Sequence, residues 1–201
     1  DVGDIVKTEK TISNTLVNGG ARPIAYKTVT QLSYNNAGQV KTKMLVQKAV
    51  APTSALVNLN YEYNIRGWLT SINKGYITAA ANNDEYFGME LGYDKNGVLG
   101  SFTPQLNGNI SGTIWKSEGD QQKRKYDFVY DAANRLTGAA FNQYVSGVGT
   151  AAVFSNANTN FTVDNLKYDA NGNILSMRHF GLKGISSAAI DDMIYTYQPF
   201  S

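Results

Sequence analysis

The chain contains no cysteine. Disulfides and thiolate-held metals are therefore excluded, but the compartment is not, because many bacterial surface proteins also lack cysteine. Histidine occurs once, as His179, so no histidine cluster can ligate a metal or pair with a second imidazole. Charge of one sign is also missing: 18 basic and 16 acidic residues leave a net +2, spread along the chain. Without a basic face, nucleic acid is not an expected partner, and neither is an anionic membrane. No apolar run is long enough to insert into a membrane, and no stretch of these residues reads as a signal peptide. Helical periodicity is nearly absent, and Thr78 to Glu85 is the only stretch that reads as helix. No Pro-rich or charged linker divides the 201 residues, so they are read as one domain.

What the chain does have is 13 Tyr, 8 Phe and 19 Gly, and a short phrase that recurs. An aromatic or apolar residue stands two before a Tyr, Asn or Asp follows the Tyr, Gly or Asn comes at +4, and an aliphatic at +6. The copies are anchored at Tyr34 (Asn35, Gly38, Val40), Tyr63 (Asn64, Gly67, Leu69), Tyr93 (Asp94, Gly97, Leu99), Tyr130 (Asp131, Asn134, Leu136) and Tyr168 (Asp169, Gly172, Ile174). A sixth, at Tyr197, runs into Gln198-Pro199 at the end of the chain. The anchors are 29, 30, 37, 38 and 29 residues apart, a spacing that signals a repeat architecture.

Asn or Asp at the first turn position accepts backbone N–H groups, and Gly or Asn at the fourth tolerates the left-handed conformation. Each phrase therefore reads as a type I turn closed by a G1 bulge, with Gly38, Gly67, Gly97, Asn134 and Gly172 at positive φ. The Tyr and its partner two residues upstream share one face of the incoming strand, and the +6 aliphatic opens the outgoing one. Tyr34, Tyr63, Tyr93, Tyr130, Tyr168 and Tyr197 are thus expected as equivalent, mostly buried positions on one face. The expected fold is all-β: an array of antiparallel β-hairpins forming a long twisted sheet, since a single hairpin is marginal in water. Asn107-Gly108-Asn109-Ile110, followed by Trp115, suggests a further degenerate hairpin, and Ser146 to Asn160 reads as a surface loop.

Candidate chemistry is sparse. Ser176, Ser186, Ser187, Asp191 and Asp192 lie near His179 in sequence, but a lone histidine without a geometric motif reads first as a half-exposed strand residue. Asp84, Glu85, Asp191 and Asp192 are carboxylate pairs that read as loop charges, and the turn aspartates already have a structural task. Asp169-x-Asn171-x-Asn173 resembles the start of a calcium loop, yet Gly falls at the fourth position and Phe180 at the twelfth, so the hairpin reading wins. Lys123-Arg124-Lys125 reads as a solvated turn before the strand at Tyr126. No catalytic, cofactor or metal residue is assigned. Trp68 and Trp115, each near a turn, are the candidate partner contacts; packing over an adjacent hairpin is the competing reading for both.

Tyr130-Asp131-Ala132-Ala133-Asn134-Arg135-Leu136 and Tyr168-Asp169-Ala170-Asn171-Gly172-Asn173-Ile174 resemble the YD repeats of rearrangement-hotspot (RHS) proteins. Tyr86-Phe87-Gly88-Met89-Glu90-Leu91, with the Asn107 turn and Trp115 downstream, is similar to large RHS-repeat surface proteins of Bacteroidetes-type bacteria. The resemblance covers roughly residues 30 to 201. It implies a segment of a shell built of hairpins, which in long members encloses a C-terminal toxin and in the related teneurins belongs to an adhesion receptor. The chain is too short to close such a shell and lacks the Asp-Pro-x-Gly-type core motif, so neither self-cleavage nor toxicity carries over.

The expectation is a non-enzymatic scaffold or shell segment of a secreted or cell-surface bacterial protein, excised from a longer chain. Its partners would be the neighbouring repeats or another copy. The alternative is an adhesion or carbohydrate-binding module that contacts sugar or a surface protein through exposed aromatics.

Overall fold

The computed structural model describes residues 3–11, 16, 26–47, 55–79 and 85–198. β1 (Lys7–Lys10), β2 (Lys27–Tyr34), β3 (Val40–Gln47), β4 (Ala55–Tyr63) and β5 (Leu69–Ile72) precede a short helix, α1 (Lys74–Thr78). β6 (Phe87–Gly92), β7 (Gly112–Ser117), β8 (Lys123–Tyr130) and β9 (Leu136–Ser146) follow. β10 (Val153–Ser155), β11 (Val163–Tyr168), β12 (Ile174–Lys183) and β13 (Ser186–Ile194) complete one antiparallel sheet. Strands are ordered as in the chain, with β10 a branch on β9. The result is an open meander of hairpins, the all-β array that the repeats imply.

Four of the five complete phrases fold identically. Asn35 N donates to Gln39 O (2.9 Å) and Gly38 N to Asn35 O (3.0 Å), while Asn35 Oδ1 accepts from the N–H groups of Ala37 and Gln39. Asn64, Asp131 and Asp169 repeat this pattern with their own +2 and +4 neighbours. The residues that close these turns, Gly38, Gly67, Asn134 and Gly172, have φ of 75, 80, 61 and 88°. A second bulge follows each turn: Tyr34 pairs with Val40 but Ser33 with Thr42, leaving Lys41 over. Thr70, Thr137 and Leu175 are left over in the same way. Bulges at matching places add twist at each of these four hairpins.

The third phrase departs from expectation. Gly97 is not in the left-handed region, and no strand leaves at Leu99. Residues 93–111 instead form one long loop between β6 and β7, which pair directly. The reason is burial. Leu99 and Phe102 join Ile77 of α1 and Ile114 of β7 in the buried core, and a Cβ on Gly97 would lie 2.8 Å from Phe102. The Asn107-Gly108 turn exists, with Gly108 at φ 98°, but it sits inside this loop rather than forming its own hairpin.

Other expectations shift too. The helix lies at Lys74–Thr78, ahead of the expected Thr78 to Glu85, of which residues 80–84 lie outside those described. The Ser146 to Asn160 stretch is not simply a surface loop: it contains β10, packs Phe154 on the core and accepts Gly100 N at Gly149 O (2.8 Å). Lys123-Arg124-Lys125 belongs to β8, not to a turn, and Lys125 is buried.

Tyr126, Phe128 and Tyr130 alternate along β8 and so share one face. There Tyr126 stacks on Trp115 (5.5 Å) and Phe128 (6.0 Å), and Phe141 meets Phe161 edge-on. Phe141 is 1% exposed, so this cluster is the sheet's second apolar centre.

Candidate functional site

All six anchor tyrosines do the same thing. Each hydroxyl donates to a backbone carbonyl one repeat upstream: Tyr34 to Ile5, Tyr63 to Val40, Tyr93 to Leu69, Tyr130 to Ile110, Tyr168 to Leu136 and Tyr197 to Ile174, at 2.7–3.1 Å. Val40, Leu69, Leu136 and Ile174 are +6 aliphatics of the preceding phrases. The anchors form a ladder that ties successive hairpins together. Tyr34, Tyr63, Tyr93, Tyr130 and Tyr168 are half-buried rather than mostly buried, and Tyr197 is exposed. Burial pushes the Tyr93 and Tyr130 hydroxyls above the ordinary phenol range, so they remain donors at neutral pH.

A second row runs along the turns. The residue after the turn-closing position reaches sideways into the next turn. Gln39 Nε2 donates to Gly67 O (2.9 Å), Trp68 packs on Tyr93 (5.2 Å), and Arg135 Nη1 donates to Asp169 O (2.9 Å) with its guanidinium over the Tyr168 ring. The Asn107 and Asn109 amides meet Asn134 Oδ1, so the degenerate turn joins the row. The backbone N–H of Arg135 above all holds the Asp131 carboxyl below its ordinary range, and the Asn173 side chain does so for Asp169.

The candidate contact residues have places in this packing. Trp68 is half-buried between Tyr93, Gly108 and the Arg66 guanidinium, and Trp115 lies half-buried in the aromatic cluster. The basic run is engaged internally: Lys123 lies over Tyr144, Arg124 pairs with Asp120, and Lys125 donates to Ser101 O (2.7 Å) and pairs with Asp127. Lys116, buried, donates to the Tyr76 and Ala79 carbonyls at the end of α1, and burial lowers its pKa.

No assembled catalytic set surrounds His179. Its Nδ1 is 3.8 Å from Asp191 Oδ2, beyond hydrogen-bond reach, while Ser176 Oγ donates to Asn165 O and Ser187 Oγ accepts Asn160 N. Asp84 lies outside the described residues, and Glu85 accepts from Asn60 Nδ2. The calcium-like Asp169 already accepts the Asn171 and Asn173 N–H groups and the Asn173 amide.

Two solvent clefts flank the β4–β5 turn. One, of about 440 Å³, lies between that turn and the 93–111 loop, and is lined by Arg66, Lys74, Glu90, Tyr93, Asp94 and Lys95. Glu90, itself buried, holds Lys74 Nζ at 2.8 Å and accepts Val98 N. Asp94 is the one turn carboxylate that caps no turn. Among the described residues, neither it nor Lys95 has a side-chain partner. The second, shallower cleft lies between the Asn35 and Asn64 turns and is lined by Gln39, Lys41, Tyr61, Glu62 and Arg66. The Asp94 cleft was not legible in the sequence, because Asp94 carries the same consensus as the turns that do form.

No protein-family model matches the chain, and no curated protein matches it.

Proposed function

We propose that the chain is a non-enzymatic scaffold, an RHS-like wall or shell segment of a secreted or cell-surface bacterial protein. The observation that carries this reading is the use made of the polar side chains. Six tyrosine hydroxyls, with Gln39, Trp68 and Arg135 after the turns, hold one hairpin to the next, and four Asn or Asp groups each close their own turn. Side chains committed in this way suit a wall of repeated, laterally tied hairpins. Few groups are left for chemistry. The test is a hydrolase and glycosidase screen with and without divalent ions. Turnover that disappears in His179→Ala would overturn the scaffold reading, and a blank screen supports it.

A second reading is favoured by one observation, the cleft at Asp94. A free carboxylate, a free ammonium group and an aromatic wall suit an adhesion module that takes a saccharide through hydroxyl hydrogen bonds and ring contact. Glycan-array binding that is lost in Asp94→Ala, with thermal stability unchanged, would move the conclusion to that reading.

A further inference from the structure

Asparagine followed by glycine is the pair whose linkage rearranges most readily, because glycine has no side chain to shield its backbone nitrogen. The chain has four such pairs: Asn18-Gly19, Asn96-Gly97, Asn107-Gly108 and Asn171-Gly172. The first lies outside the described residues. In the other three the asparagine is exposed, so access to water does not separate them. What separates them is whether the two reacting groups are free. The glycine nitrogen must lose its proton and reach the asparagine Cγ, and a hydrogen bond to either group holds it back.

At Asn171-Gly172 the nitrogen is held. Gly172 N donates to Asp169 O (3.2 Å), and Asn171 N, donating to Asp169 Oδ1 (2.9 Å), fixes the backbone before it. At Asn107-Gly108 the side-chain amide is held at both ends: Oδ1 accepts Asn109 N (3.1 Å) and Nδ2 donates to Asn134 Oδ1. At Asn96-Gly97, among the described residues, neither the amide nor the glycine nitrogen has a partner. This follows from the failure of the third phrase to close its turn. In the four that close, the residue equivalent to Gly97 donates its N–H back to the carbonyl of the Asn or Asp after the tyrosine.

We infer that Asn96-Gly97 is a site of spontaneous covalent modification, and that its isoaspartate product releases the 93–111 loop from the core. Gly97 N bonds to Asn96 Cγ while the Cγ–Nδ2 bond breaks, and the nitrogen's proton leaves with the expelled ammonia. The five-membered succinimide that results is opened by water. Cleavage between Gly97 N and Cγ gives aspartate. Cleavage between Gly97 N and the main-chain carbonyl carbon gives isoaspartate, in which the backbone runs through the side chain and is one methylene longer.

The fold has no room for that methylene at this point. A carbon added to Gly97 would lie 2.8 Å from Phe102, 2.9 Å from Ile114 and 3.2 Å from the Glu90 carboxylate. Immediately after it, Val98 N donates to buried Glu90, which also holds Lys74 of α1, and Leu99 is buried in the core. An extra methylene pressed against packed side chains forces the backbone to move. Around Gly172 nothing lies within 4 Å, so the same product there would disturb no packing.

The test ages the intact chain in mildly alkaline buffer, folded and in guanidinium chloride. Fragmentation mass spectrometry follows each asparagine, and its rate in the folded chain is divided by its own rate in the unfolded one. That ratio should be several-fold higher at Asn96 than at Asn107 or Asn171. Tm should fall in step with isoaspartate at position 96, scored by an isoaspartate-specific methyltransferase. Asn96→Gln should keep its Tm over the same time, and fresh Asn96→Asp, which adds the charge without the methylene, should melt with the fresh parent. A ratio at Asn96 no higher than at the other two would overturn the inference, because the packing of Gly97 would then clamp the reaction. So would a Tm that stays constant while isoaspartate accumulates at position 96, or one that falls equally in Asn96→Gln.

Discussion

At Gly172, backbone strain can be separated from crowding, because nothing lies within 4 Å of where a Cβ would stand while φ is 88°. Gly172→Val should cost about 1–3 kcal/mol by urea unfolding, through the left-handed backbone alone. Gly119→Val, with equal space and no positive φ, should stay within about 0.5 kcal/mol. The turn carboxylates add a pH dependence. Asp131 and Asp169 have pKa values lowered below the ordinary 3.8, by the Arg135 N–H and the Asn173 side chain foremost. A lowered folded-state pKa means that the stabilisation is complete above the unfolded value and is lost as pH falls through the folded one. Thermal melts from pH 6 down to pH 3 should therefore show Tm falling in the acid range. Asp131→Asn with Asp169→Asn should lose less over that range, since Asn35 and Asn64 cap the same turn without a charge.

Between elements, what matters is how one hairpin grips the next. Tyr168→Phe removes the hydroxyl that reaches Leu136 O at 2.7 Å and leaves the ring in place. The expected loss is about 1 kcal/mol in chemical denaturation, the usual value of one hydrogen bond. Arg135→Ala removes more: the bond to Asp169 O, the stack on Tyr168 and the ion pair to Asp131. It should cost about 1–2 kcal/mol and, as the distinguishing sign, loosen amide protons in the Asp169 to Asn173 turn one repeat away. A cost confined to the Asp131 turn would show that the sideways contact carries no coupling.

Across the whole molecule, a meander in which each strand touches only its neighbours has a stability set by nearest-neighbour terms. Those terms are uneven here. β7 to β9 hold Ile114 at 0% and Phe141 at 1% exposure, with the 93–111 loop and the β10 segment packed on the sheet, whereas β1 is exposed throughout. Native-state hydrogen exchange should be slowest in β7 to β9 and quicken towards β1 and β13. Uniform protection would indicate one cooperative core and would contradict the one-dimensional picture.

The sequence by itself determined the hairpins, because every requirement of the turn is local: an acceptor after the tyrosine, a residue able to take positive φ at +4, and an alternating strand on either side. Gly38, Gly67, Asn134 and Gly172 meet those requirements within five residues, and no distant contact opposes them. Only the tertiary structure decided the fate of the third phrase, where Leu99 and Phe102 are drawn under α1 and onto Ile114. Burying those side chains outweighs one local turn, at about 1.5–3 kcal/mol for each large apolar group removed from water. The sideways reach of the residues after the turns and the destination of each tyrosine hydroxyl belong to the same level. Both depend on which strand lies alongside, and that is known only once the sheet has formed.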